Sequence, residues 1–149
     1  MKKTINKYLF SGKAAVDVVR VFEKCVDIAN DIGKYKINFE MPDETVLIHA
    51  DLNKLTAQII MMLESVVMNG GDAVLKLSID NKTEDVYVDI DCDGIFNRAY
   101  FEFKRYIGTP SYIVSDALSD YELEAIIIEC FAKNKYFGKV VKGYEKNRE

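Results

Sequence analysis

A chain of 149 residues, 49% of them hydrophobic and 30% charged, has the length and balance of one globular domain that can bury its own core. Its net charge of -4 argues against a broad nucleic-acid footprint, which needs a basic face. Cys25, Cys92 and Cys130 are odd in number and share no CxxC or Cys/His metal spacing, so they read as reduced thiols in a cytoplasmic compartment. Lys7 and Lys13 interrupt the stretch that could serve export, and no apolar run approaches the roughly 20 residues of a membrane span.

Ala15, Val18, Val19, Phe22, Val26 and Ala29 recur at three- and four-residue steps, which predicts an amphipathic helix from Ala14 to Ile32 that stops at Gly33. Tyr35 to Met41 then alternates as a strand, and Pro42-Asp43-Glu44 turns the chain into a second strand, Thr45 to Ala50. Asp51 is a good N-cap. It opens a helix carried by Leu52, Leu55, Ile59, Met62, Leu63 and Val66, closing near Asn69-Gly70-Gly71. Ala73 to Asp80 and Asp85 to Cys92 form a predicted hairpin across Asn81-Lys82-Thr83-Glu84, each strand burying one face.

From Gly94 to Leu118 the pattern is poor. Tyr100, Phe101, Phe103 and Tyr106, followed by Gly108-Thr109-Pro110, suggest a short helix and a mobile loop. Ser119 and Glu122 make a capping box for a third helix through Leu123, Ile126, Ile127, Cys130 and Phe131, ending near Asn134, and Gly138 to Tyr144 is a predicted final strand. This order predicts an α/β (α+β) two-layer sandwich, with a mixed, mostly antiparallel sheet of about five strands, three helices on one face and the other face open to water.

The run Asp51 to Leu55 followed by Gln58-Ile59-Ile60 and Leu63, with Val46 to Ala50 before it, resembles the helix that opens the ATP-binding domain of sensor histidine kinases, in the GHKL superfamily shared with gyrase, Hsp90 and MutL. Ala125-Ile126-Ile127 and Gly138-Lys139-Val140-Val141 resemble that family's terminal helix and following strand, so the likeness runs from Ala14 to Val141. The family's nucleotide-contacting positions are altered. Two asparagines that bind Mg²⁺ and phosphate correspond to Met61 and Ser65, neither a good ligand for a hard cation. The adenine motif, an Asp and then Gly-x-Gly, falls on Asp91 to Phe96, where Cys92 stands for the Asp, Gly94 survives and Phe96 replaces the second glycine. The glycine-rich phosphate loop falls on Tyr121-Glu122-Leu123-Glu124, which offers carboxylates instead of backbone amides.

The resemblance therefore implies a pseudo-ATPase without catalytic residues, cofactor or metal. It would act by protein contacts as a regulator or adaptor in two-component-type bacterial signalling, where relatives that keep this fold but not ATP dock a response regulator. The alternative is a working nucleotide binder similar to stand-alone anti-sigma serine kinases, which keep the asparagine helix and glycine loop.

Ala57, Met61, Ser65 and Met68 share one helix stripe, and its methionines suit an adaptable partner groove as well as a self-filled cleft. Tyr100 and Phe103 belong to an aromatic segment, and Lys139 and Lys142 would guard the last strand as a bare edge. A response regulator, a kinase or a second copy is the expected partner, with neither nucleic acid nor membrane. Three other features carry bland readings: Glu64 as a solvent-exposed side chain, His49 as structural, and Asp89, Asp91 and Asp93 as the wet face of a strand, although Asp89 to Asn97 fills the first nine positions of a calcium loop.

Overall fold

The computed structural model describes residues 14–148, so Lys7 and Lys13 lie outside the described residues. Helix α1 (Val18–Gly33) begins where the Asp17 carboxylate accepts the Val19 and Arg20 amides at 3.1 and 3.3 Å, and Lys34 ends it in a left-handed conformation. Because a cap residue is extended, the helix cannot reach back to Ala14. Ala14–Asp17 is instead strand β1, which pairs antiparallel with β3 (Leu47–Ile48) and parallel with β7 (Tyr112–Ile113).

The second helix, α2 (Leu52–Met68), follows its sequence signals closely. The Asp51 carboxylate accepts the Asn53 and Lys54 amides at 2.8 and 3.2 Å, and Leu52, Leu55, Ile59, Ile60, Leu63 and Val66 are buried. Thr56, buried on the same face, donates its hydroxyl to the Leu52 carbonyl at 2.7 Å, so its polar group is satisfied within the helix.

β2 (Lys36–Glu40) lies parallel to β4 (Asp72–Ile79), which runs antiparallel to β5 (Asp85–Cys92). The predicted hairpin is present. A departure ten residues long follows it: the segment expected to hold a short helix and loop is β6 (Ile95–Lys104), antiparallel to β5 and at the edge of the order β2-β4-β5-β6. Only Phe101 is buried along β6, which is why no alternation marks it in the sequence.

The two-layer α+β sandwich stands, with its strands divided between this four-stranded sheet and the three-stranded sheet β3-β1-β7. The strand after Pro42 does not extend the sheet of β2. It belongs to the smaller sheet and touches the larger one through the bridge between Ile48 and Arg105.

A one-turn helix, α3 (Val114–Ala117), precedes α4 (Asp120–Lys133), which opens with the expected capping box of Ser119 and Glu122. The predicted final strand is a helix, α5 (Lys135–Arg148). Asn134 accepts the Tyr136 and Phe137 amides at 2.9 Å and so caps it. Phe137 and Val141, four residues apart, are buried on one side, and this helical spacing overrides the β-branched character of Val140-Val141. Gly138 permits the tight corner, since a Cβ there would lie 2.8 Å from the Ala132 carbonyl oxygen.

The core lies between the four-stranded sheet and the helices. Phe22 of α1 stacks on Phe39 of β2 with ring centres 4.6 Å apart and meets Phe101 of β6 edge-on at 6.3 Å, so one ring binds three elements.

Candidate functional site

The C-terminal half of α2 and the β5–β6 hairpin enclose a groove of about 120 Å³ lined by Ser65, Val66, Asn69, Ile90, Cys92, Ile95 and Asn97. Helical spacing puts Ser65 and Asn69 one turn apart, and the Asn69 amide donates to the Ser65 carbonyl at 2.8 Å. Strand alternation puts Ile90 and Cys92 on the face of β5 that looks toward α2.

The groove thus brings Ser65 and Cys92 together. Met61 lies one turn before Ser65 on the same stripe and is 66% exposed, while Met68 on the last turn is 68% exposed. Asn69, Ile95 and Asn97 were not among the candidate site residues of the sequence. Nothing in their local pattern distinguishes them, because β6 reaches α2 only through tertiary pairing.

Gly94 has a different job from the one its motif suggests. Asp93 and Gly94 adopt φ of 52° and 88°, the two positive values of a type I′ turn, and Cys92 pairs with Ile95 across it. The Asp91 carboxylate accepts the Gly94 amide at 2.8 Å and steadies the turn. Asp91-Cys92-Asp93-Gly94 is therefore the tip of a hairpin, with Phe96 just beyond it on the open sheet face, 78% exposed.

The last two pocket positions do not join the others. Leu123 is fully buried in α4, and Tyr121, 83% exposed, sits in the first turn of that helix, whose start is held to α1 by Arg20 bonding the Leu118 carbonyl at 3.0 Å and Asp120 at 2.9 Å. Neither residue lines the groove.

Among the candidate partner residues, Tyr100 is 59% exposed on the open face of the sheet, but Phe103 points the other way and packs partly buried against the core. Lys139 and Lys142 are exposed on helix α5 and guard no strand edge. Glu64 is not simply solvent-exposed: it is half-buried and accepts the Asn134 amide at 3.1 Å, tying α2 to the corner between α4 and α5. His49 meets Tyr106 edge-on at 6.0 Å.

The open face carries a second cluster that the alternation of β5 could have revealed. The Arg98 guanidinium grips Asp89 at 2.7 and 3.2 Å and lies 4.1 Å from the centre of the Tyr87 ring, which is 5.6 Å from that of Tyr100. Asp89 is thus engaged by an arginine and Asp91 by its own turn, which accounts for two of the three aspartates of the calcium-like run. Among the described residues, no group of three or more His, Cys, Asp and Glu side chains is placed to hold a metal ion.

Burial, with Asp91 beside it, pushes the Cys92 thiol above its ordinary range, and burial raises Cys130 and the fully enclosed Cys25 as well. A protonated thiol is a poor nucleophile. Ser65, and Met61 one turn before it, offer a single hydroxyl and a thioether, neither a good ligand for a hard cation, and the lip of the groove is Ile95.

Among the described residues no helix is long and apolar enough to cross a membrane. No protein-family model matches the chain, and no curated protein is significantly similar to it.

Proposed function

We propose that this chain is a kinase-like ATPase fold whose nucleotide pocket has closed, and that it works in the cytoplasm by protein contacts, as a regulator or adaptor in two-component-type bacterial signalling. The observation that carries this reading is the groove between Ser65 and Cys92. At about 120 Å³ it falls well short of the roughly 300–1000 Å³ of sites that enclose a small ligand. The tight turn at Asp93-Gly94 runs straight into β6 and leaves no loop there to fold over a nucleotide. An Asp51-capped α2 between the parallel strands β2 and β4 supports the scaffold half of the reading.

The exposed surface around the groove supports the other half. Met61, Met68 and Ile95 present flexible or branched apolar side chains to water beside it, the sort of surface that adapts to a protein partner. Free cysteines throughout are in keeping with a reducing compartment.

Calorimetry with Mg²⁺ and millimolar ATP tests the first half; no saturable heat is expected, and a saturable isotherm would sink the proposal. Thermal denaturation gives a parallel readout, since a ligand at 100 times its Kd should add about 2.7 kcal/mol. For the second half, a photo-crosslinking residue at Met61 or Met68 should capture a response regulator or kinase in cells, and the same residue at Tyr121 should not. Equal capture at all three positions would remove the groove from the argument.

A further inference from the structure

Among the described residues β6 is an edge strand of the four-stranded sheet. Cys92 and Ile95 flank a two-residue hairpin turn and so form a hydrogen-bonded pair; by the antiparallel rule Asn97 and Ala99 also bond to β5, while Phe96, Arg98 and Tyr100 turn their amides and carbonyls away from it. Among the described residues β6 has one strand neighbour, β5, so these three positions form an open edge. The open stretch is bounded at both ends. At one end is the Asp93-Gly94 turn; at the other, the Gln58 side chain approaches the Glu102 amide at 3.5 Å and bonds its carboxylate at 2.8 Å, after which Arg105 bridges to Ile48.

Within those bounds the sequence reads the same in both directions: aromatic, polar or small, arginine, polar or small, aromatic. We propose that two copies of the chain pair their β6 strands antiparallel about a two-fold axis at Arg98, joining two four-stranded sheets into one of eight strands. In this register Arg98 faces Arg98 of the second copy and Phe96 faces Tyr100, so all three outward backbone pairs are satisfied. Phe96 and Tyr100 are 78% and 59% exposed in the single chain, and each gains an aromatic cross-strand neighbour.

The two arginines at the centre would repel if they were free. Each is held on its own sheet by Asp89 at 2.7 and 3.2 Å and lies over Tyr87, so the axis carries two neutralised pairs. One contact must open on pairing: the Asn97 side chain accepts the Arg98 amide at 2.9 Å and caps the edge of the single chain. This inference is independent of how the Ser65 groove is read. A second copy is favoured over a foreign strand because the symmetry of the exposed side chains about Arg98 is a property of this chain.

Sedimentation of the full chain over a concentration series tests it. A monomer–dimer equilibrium is expected, and Tyr100→Pro should be monomeric throughout with its circular dichroism retained, since proline there removes an outward donor and no bond to β5. Amide exchange on the wild type supplies a readout that does not depend on the variant folding. The Phe96, Arg98 and Tyr100 amides should slow as concentration rises, whereas Ile95, Asn97 and Ala99 should be protected at every concentration. A chain that stays monomeric, a dimer whose three outward amides exchange as in the monomer, or a dimer that persists in folded Tyr100→Pro would each overturn the proposal.

Discussion

The two faces of the β5–β6 hairpin are made from alternating residues of the same strands and do opposite things. Toward the helices, Val86, Val88, Ile90 and Phe101 are buried and complete the core. Toward water, Tyr87, Asp89, Arg98 and Tyr100 form a cluster of one ion pair and two rings that no other layer covers among the described residues. The inner face draws on burial, worth about 25 cal/mol per Å² of apolar surface, and cannot change without cost. The outer face draws on pairings between hydrated groups, each worth little to the fold, and is therefore open to be shaped by contacts. Period-two alternation lets one hairpin carry a core face and a hydrated face separately.

The separation breaks most visibly if it is attacked from the inside. Phe22→Ala removes the ring that joins α1 to β2 and β6, and urea denaturation should show a loss of about 3–5 kcal/mol. Tyr35 probes the opposite end of the sheet, where its ring lies against both Gly33 and Gly71. Gly71→Ala would force a φ of +77° on an L residue and place its Cβ 2.6 Å from that ring, for an expected loss of roughly 1–3 kcal/mol. Gly70→Ala, at φ +114° with nothing within 4 Å, should lose stability through backbone strain alone.

On the outer face, Tyr100→Ala should lower stability by only about 0.2–1 kcal/mol, the worth of a cross-strand aromatic pair. A loss as large as that of Phe22→Ala would show that the open face is structural after all.

The smallest effect sharpens the same contrast by pH. Burial first, and then the Tyr136 hydroxyl 3.4 Å away, push the Tyr35 phenol up to about 12 from 10.0. The folded chain holds this proton after the unfolded chain has released it, so the associated stability is complete below pH 10 and falls as pH rises from 10 toward 12. Urea midpoints at about pH 9 and about pH 11 should therefore differ more in the wild type than in Tyr35→Phe. Equal differences would put the hydroxyl fully in water.

Of the candidate site, Ser65 and Cys92 were singled out by the resemblance, and the structure puts both on one groove. The sequence is silent on Asn69, Ile95 and Asn97, which reach that groove only because β6 folds back beside β5. Tyr121 and Leu123 were grouped with the pocket by the same resemblance, but the tether of Arg20 to Leu118 and Asp120 keeps the start of α4 against α1 instead.

What the sequence determined by itself are the features whose causes are local: the caps at Asp51 and Ser119, the buried stripes of α1 and α2, and the hairpin of β4 and β5. Each is specified by residues within a turn or two of one another, where a carboxylate meets nearby amides or apolar side chains fall on one face. Tertiary structure alone decided that Ile95–Lys104 is a strand, that Lys135–Arg148 is a helix, and that Leu47–Ile48 belongs with β1. An edge strand with one buried residue leaves almost no periodic mark, a terminal helix is held by its few buried contacts with α4 and α1, and a two-residue strand has no pattern of its own, so in all three the deciding interactions come from residues distant in the chain.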